Sequence, residues 1–410
     1  MKIKIPHWQI NKKNFITISL FLVIIAMENF FYLLPGDSYI VGGIKYSDIG
    51  IIMAWLWILY VAIHFKFRFS KNESIIPALF ILLVFLSGIA GDYLLGQSII
   101  LTLRQNRYIL TCMVLYYLIL NAMYFGALEK NDLLTIFQYV AIIEILLFSL
   151  QYLFGNGVNL LHITISTRYG TPRLKINYLF PLIFSYFCLG RLLNGKYRFF
   201  NFVGLTSGVF IMMEVAKNRM PVLIMLVTFL VAYLLWRSNL SIKFIVGIIV
   251  VCLMILLYNT TIVQDSINVI LYGDKFGTQN TEIREIGRQY YLQKVQQSML
   301  LGFGEPNQNY SLAMAASGAG MNIFLADNGV FGFLYCHGIL GIVWLISLFF
   351  QMLKKSFYIM SKKGKYAYIL YAIYEVLNLY MGMHWYYYYA LPFVLFLCLL
   401  NYEYYERKEI

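Results

Sequence analysis

Uninterrupted apolar runs about twenty residues long recur along this chain, and no other feature constrains its fold as strongly. A run of that length matches the roughly 30 Å hydrocarbon layer that a helix crosses with about 20 residues. Inside a bilayer every backbone N–H and C=O must be bonded within protein, which leaves helices or a closed barrel. Barrel strands alternate with period two over about 10 residues; these runs do not alternate, so a barrel is excluded. Candidate spans read near 15–34, 48–64, 75–91, 107–125, 133–154, 176–190, 199–216, 219–236, 243–261, 327–353, 366–382 and 385–402. The chain has 410 residues, 60% apolar and 12% charged. That is room for about twelve crossings of about 20 residues each. The expected fold is an all-α polytopic integral membrane protein with about twelve transmembrane helices. It is one polytopic unit over 1–410, without internal repeats or a separate soluble domain.

Lys and Arg outnumber Asp and Glu by 32 to 19, for a formal charge of +13. The excess does not signal nucleic acid, because many of the cations fall in short loops. Lys2, Lys4, Lys12 and Lys13, then Lys66, Arg68 and Lys71, then Arg191, Lys196 and Arg198, then Arg237 and Lys243, occupy alternate loops. Lys354, Lys355, Lys362, Lys363 and Lys365, and finally Arg407 and Lys408, continue the alternation. By the positive-inside rule that side is the cytoplasm, so both termini are expected there and the number of spans is even. The first run ends in Leu33-Leu34-Pro35-Gly36-Asp37 without a small-x-small cleavage site, and a retained first helix is expected rather than a signal peptide. Many of the tyrosines and tryptophans sit at span ends, where amphipathic rings anchor in the headgroup layer. Cys112, Cys188, Cys252, Cys336 and Cys398 lie far apart inside apolar runs with no CxxC pair, so they read as small packing residues.

One connection is long. Residues 262–326 form a large extracytoplasmic loop, and a connection of that length is usually functional or disordered. The segment Thr281–Met299 has helix-forming composition and predicts an amphipathic helix on the outer surface. A glycine turn follows at Leu301-Gly302-Phe303-Gly304-Glu305-Pro306, and Gly318-Ala319-Gly320 leads into the next span.

Cations assigned to the outer face are the informative ones, since they are neither topology signals nor cheap to place. Arg104 and Arg107 open the fourth span, while Arg168, Arg173 and Lys175 flank Pro172 in the third outer loop. Lys217 and Arg219 form a tight hairpin, and Arg284 and Arg288 share a helix face at i, i+4. Each alone reads equally as a side chain snorkelling to headgroups, and Glu282 and Glu285 offer Arg284 and Arg288 partners on a solvated helix. As a set they predict a convergent site for phosphate or pyrophosphate, because guanidinium matches phosphate oxygens bidentately and stays charged. Asp327, in Ala326-Asp327-Asn328-Gly329, reads as an N-cap of the next helix or as a group that takes a proton from a sugar hydroxyl. His384, in the last outer turn, reads as an interfacial histidine, a base or a sugar contact. Glu28 and Glu144 are buried acids whose partners the sequence does not identify. No Walker A loop, HExxH cluster, paired ion-site carboxylates or DxD pair is present, so no metal or other cofactor is expected.

Three segments resemble the O-antigen polymerase and ligase superfamily (Wzy/WaaL-like), and within it the repeat-unit polymerases of capsule, exopolysaccharide or O-antigen. Lys217-Asn218-Arg219 is similar to the family's Ser-x-Arg segment after an outer hairpin. Arg284, about eighteen residues before Gly302-Phe303-Gly304, resembles its Arg…Gly-x-Gly stretch. Ala326-Asp327-Asn328-Gly329 followed by Gly338-Ile339-Leu340-Gly341 is similar to a His/Asp-Asn…Gly-Ile/Leu-x-Gly segment. Ligases carry histidine where this chain has Asp327, which favours a polymerase; His337 does not inherit that histidine's role. The resemblance implies inverting, metal-independent glycosyl transfer between polyprenyl-diphosphate-linked oligosaccharides at the outer face of a bacterial cytoplasmic membrane. A flippase and a chain-length regulator would be its partners, beside membrane lipid. On this reading Arg219 and Arg284 hold the diphosphate, and Arg288 and Arg173 are further contacts, with Arg168, Lys217, Arg107 and His384 as additional substrate contacts. Asp327 is then the orienting group or base. A flippase for lipid-linked oligosaccharide is the chief alternative, although flippases usually show repeats and a charged central cavity. A scaffold whose arginines bind anionic lipid is the third.

Overall fold

The apolar runs become helices, and polar breaks between them set where each one ends. The computed structural model describes residues 12–36, 38, 45–65, 71–155, 157–168, 171–196, 198–237, 243, 264, 279–380, 382–387 and 389–405. In chain order these form α1 (Lys12–Met27), α2 (Tyr46–His64), α3 (Lys71–Leu95), α4 (Ile99–Gln105), α5 (Arg107–Tyr124) and α6 (Lys130–Phe154). An antiparallel hairpin follows, β1 (Ile165–Arg168) and β2 (Thr171–Leu174), with Ser166 opposite Arg173. Then come α7 (Leu179–Leu193), α8 (Phe199–Phe210) with a π turn over Ile211–Val215, and α9 (Arg219–Leu235). The remaining helices are α10 (Gln279–Val295), α11 (Ser311–Ala316), α12 (Val330–Lys363), α13 (Tyr366–Asn378), α14 (His384–Tyr387) and α15 (Ala390–Tyr405). The candidate span over 243–261 and the loop start over 262–278 lie outside the described residues except for Lys243 and Gln264. Lys2, Lys4, Lys66, Arg68, Arg407 and Lys408 also lie outside them.

Among the described residues, five helices are long and apolar enough to cross a membrane: α2, Ile75–Leu95 of α3, α5, α6 and α12. Shorter apolar helices occur at Lys13–Met27, Leu179–Leu193, Phe199–Val215, Met220–Leu235 and Ala390–Tyr405. The apolar stretch of α15 is buried along its length and packs against α5, α7 and α12. Helices α2, α3 and α8 instead turn leucine, isoleucine and phenylalanine outward, among them Leu56, Ile63, Leu79 and Phe199. Exposed apolar surface of that extent marks a face that another apolar phase covers.

Helix ends meet in two groups. Lys130, Lys363 and Lys365 converge on the buried carboxylate of Glu403 at 3.1, 2.7 and 2.7 Å, and Lys13 pairs with Glu129. Trp236 donates to the Leu193 carbonyl, and the Arg237 N–H to the Tyr366 hydroxyl. At the other ends, the His162 N–H donates to the Tyr32 carbonyl at 2.7 Å, and Gln97 donates to the Glu305 carbonyl at 2.9 Å. Each of these contacts joins loops that the alternation of positive charge assigns to the same side.

Two backbone breaks shape the second group. The first candidate span reads as continuous over 15–34, yet α1 stops at Met27, and Asn29, Phe30, Phe31 and Tyr32 are all left-handed, with φ of 50°, 51°, 58° and 61°. Such a turn costs non-glycine residues about 1–2 kcal/mol each. It is held by the His162 bond above, by the Asn177 N–H donating to the Tyr32 hydroxyl at 3.0 Å, and by burial of Phe31. The second break is inside α12, where Gly338 has φ 61° and ψ −161°. Carbonyls freed there are satisfied by the segment after α10: the Phe303 N–H donates to Tyr335 and the Gly304 N–H to Cys336, both at 2.9 Å. On the far side of the break, the Ile339 N–H donates to Met299 at 2.9 Å. A Cβ on Gly338 would lie 2.4 Å from the Leu300 carbonyl carbon, and one on Gly302 would lie 2.5 Å from the Tyr335 oxygen. Backbone groups freed by a break inside a long apolar helix require such cross-bonding.

Candidate functional site

Three of the four cation-bearing segments, the β1–β2 hairpin, the α8–α9 turn and helix α10, lie close to one another, while the Arg104–Arg107 segment does not join them. Within the β1–β2 hairpin, Arg173 reaches the α8–α9 turn, donating from Nε to the Ala216 carbonyl at 3.1 Å and from Nη2 to Asn218 Oδ1 at 2.7 Å. Lys217, left-handed at φ 48° and buried, donates to the Thr171 hydroxyl and lies 5.6 Å from the Tyr152 ring centroid. Arg219 is the first residue of α9, as the sequence predicts, and Arg168 closes β1. The side chains of Arg168 and Arg219 lie outside the described residues.

Helix α10 occupies the predicted amphipathic stretch and packs on α12. Its two arginines diverge in role. Arg284 Nη2 is 3.9 Å from Asp327 Oδ1, and both side chains are substantially exposed. Arg288 pairs with Glu285 at 3.2 Å, donates to the Tyr380 hydroxyl at 2.7 Å and stacks 4.1 Å from that ring's centroid, while its Nε is buried without a partner among the described residues. Asp327 does not cap α12: Gly329, at φ 50°, occupies the N-cap and turns the chain, leaving Asp327 in a preceding 3₁₀ turn that faces Arg284.

His384 opens α14 and links the two halves. Its ring is 5.6 Å from that of Tyr178, and Tyr178 lies beside Asn218 and Arg173. Burial pulls the His384 pKa down to about 4, and the nearby Arg284 guanidinium adds to the effect. The imidazole is therefore neutral at physiological pH. Arg173 and Asn218 thus lie beside Tyr178, whose ring neighbours that of His384, and the Arg284 guanidinium, close to Asp327, is near enough to act electrostatically on His384. Arg107 stands apart: it donates from Nε and Nη2 to Asp48 Oδ1 at 3.0 and 2.8 Å and from Nη1 to the Arg104 carbonyl. Arg104 itself is exposed.

No protein-family model and no curated protein sequence matches this chain.

One group escaped the sequence reading. Glu305 Oε2 lies 3.3 Å from the Tyr386 hydroxyl, which lies 2.7 Å from His337 Nε2; His337 Nδ1 lies 3.1 Å from Ser87 Oγ, itself 3.1 Å from the Val84 carbonyl. Burial lifts the Glu305 carboxyl to about 7, against the pull of hydrogen bonds from Tyr386 and Gln105. Two consistent proton arrangements exist, because each hydroxyl has one proton and a neutral imidazole one N–H. With Glu305 protonated, it donates to Tyr386, Tyr386 to His337, His337 to Ser87 and Ser87 to Val84. With Glu305 ionised, the first three bonds reverse, and Ser87, its one proton now directed at His337 Nδ1, no longer donates to Val84. The only local signal is an acid after a double-glycine turn. Its partners lie 32 to 218 residues away in sequence.

Chemically, the cation-bearing segments offer fixed positive charge with a neutral imidazole beside it, and a separate buried network holds Glu305, a carboxyl that burial lifts to about 7. Among the described residues no group of His, Cys, Asp and Glu has the arrangement to hold a metal ion.

Proposed function

We propose that this protein polymerises polyprenyl-diphosphate-linked oligosaccharide repeat units at the outer face of a bacterial cytoplasmic membrane, with about twelve spans and both termini inside. The observation that carries the reading is the proximity of Arg173, Asn218 and Tyr178 to His384, and of His384 to the electrostatic influence of Arg284 beside Asp327, which groups the cation-bearing turns with helix α10. The docking of Gly302-Phe303-Gly304 onto the Gly338 break supports it, since both segments carry the resemblance to repeat-unit polymerases.

In this mechanism a sugar hydroxyl of one lipid-linked glycan attacks the anomeric carbon of another from the face opposite its diphosphate. The anomeric C–O bond breaks and its electron pair leaves with the lipid diphosphate. Arg219 and Arg284 stabilise that growing charge, with Arg288, Arg173, Lys217 and Arg168 contributing to the field. Cations placed beforehand where charge develops act more on the transition state than on the ground state. Asp327, beside Arg284, orients that guanidinium. The attacking hydroxyl's proton passes to Glu305, a better-matched acceptor than an ordinary carboxylate because its pKa lies near the working pH.

The test is purified protein with polyprenyl-diphosphate-linked repeat units from the host strain, products separated on a gel. A ladder of longer glycans is expected. No ladder from units that a known polymerase extends would overturn the reading and favour transport of the same lipid.

A further inference from the structure

The left-handed turn after α1 does more than end a helix. It lines a cavity of about 360 Å³ at the same end of the molecule as the candidate site. Residue 28 and the turn contribute Glu28, Asn29 and Tyr32; Gln105 and Tyr108 face them from α4 and α5, and Tyr389 from the last turn. Met27 and Ile51 are the apolar members of the wall. The volume falls in the roughly 300–1,000 Å³ range of small-molecule sites. Those sites are mostly apolar with a few polar groups; this one inverts the proportion.

Glu28 is the telling member. It is 5% exposed, and Oε2 accepts from Asn177 Nδ2 at 2.7 Å; Oε1 has no well-formed hydrogen bond among the described residues, with the Tyr108 hydroxyl nearby. A buried oxygen left unbonded costs free energy that a ligand's donor would recover. Sparsely populated backbone held in place by its surroundings also concentrates at ligand sites. A phosphate does not suit the cavity, because Glu28 is acidic and Arg107, which also lines it, is already bound to Asp48. A lipid chain does not suit walls of amide, carboxyl and phenol. A neutral ligand rich in hydroxyls does: tyrosine rings pack on the C–H faces of a sugar while carboxylate and amide groups bond its hydroxyls.

We propose that this cavity is a carbohydrate subsite, in which a sugar ring sits against the tyrosines and one of its hydroxyls donates to Glu28 Oε1. The proposal rests on the polymerase reading for the identity of the glycan. Gln105 lines the cavity and lies beside Glu305, which places the subsite next to the buried acid.

The test measures equilibrium binding of a lipid-free oligosaccharide, prepared by partial hydrolysis of the host strain's polysaccharide, to the full chain in lipid nanodiscs. Wild type is compared with Glu28→Gln, nearly isosteric, and with Ser47→Leu, which fills the cavity from the α2 side. Saturable binding to wild type, weakened about 10-fold or more by Glu28→Gln and lost in Ser47→Leu, is expected. No binding to wild type, or equal binding to all three folded proteins, overturns the subsite. The same proteins are run in the gel assay. Glu28-dependent binding without any ladder sustains the subsite while the polymerase reading falls. A wild-type ladder that both variants reproduce, with unchanged binding, does the reverse.

Discussion

Phe303 is bonded and stacked to one residue at once: its N–H donates to the Tyr335 carbonyl at 2.9 Å, and the two rings stack with centroids 4.9 Å apart. This contact docks the segment after α10 into the broken turn of α12. It also sets where Glu305 stands, two residues further on, against Tyr386 and His337.

Gly338→Ala therefore destabilises the protein. The position combines a backbone region open essentially to glycine with a 2.4 Å approach to Leu300, and strain of this kind costs about 1–3 kcal/mol before any clash is counted. A lowered unfolding temperature in nanodiscs is expected, and an unchanged one would show that the break is not required.

On the proposed polymerase reading, Arg284→Ala is expected to slow polymerisation about 100–1,000-fold, the loss typical of a single charge-stabilising donor in a transition state. Arg219→Ala does the same. Initial rates from the gel assay measure both, and Arg284→Lys restores little because a point charge lacks the guanidinium fork.

The rate rises with pH through about 7 as Glu305 loses its proton, and Glu305→Gln removes this rise together with most of the activity. Stability moves the opposite way. A carboxyl whose folded pKa is raised holds its proton longer folded than unfolded, so its contribution is lost between the ordinary carboxylate range and about pH 7. The glutamine variant is then more stable than wild type at pH 8 but not at pH 4. A bell or slope unaltered by the substitution would exclude Glu305 as the proton acceptor.

Glu403→Gln weakens the opposite end. It strips the shared carboxylate from Lys130, Lys363 and Lys365, which are partly exposed, so the cost is about 1–3 kcal/mol rather than that of a fully buried pair. Unfolding monitored by intrinsic fluorescence reads this, with glycan synthesis at permissive temperature unaffected.

The helical, membrane-type body was legible in the chain, because a twenty-residue apolar run has few ways to satisfy its backbone. The helix over Gln279–Val295 and the start of α9 at Arg219 followed from local composition and the proline after it. Other features depended on distant partners. In the left-handed turn at Asn29–Tyr32 only Asn29 is a residue that favours this conformation; Phe30, Phe31 and Tyr32 are held in it by His162 and Asn177. Asp327 reads locally as a cap and is instead displaced by Gly329 to face Arg284. Glu305 carries no motif of its own. Its raised pKa and its chain to Ser87 exist because α3, α12 and α14 bring groups hundreds of residues apart into hydrogen-bonding distance. Sequence by itself determined which segments are helical and where fixed charge is expensive, since both follow from transfer of local groups out of water. Only the tertiary structure decided which of those groups touch, because burial, pairing and protonation are properties of neighbours that the chain brings together from afar.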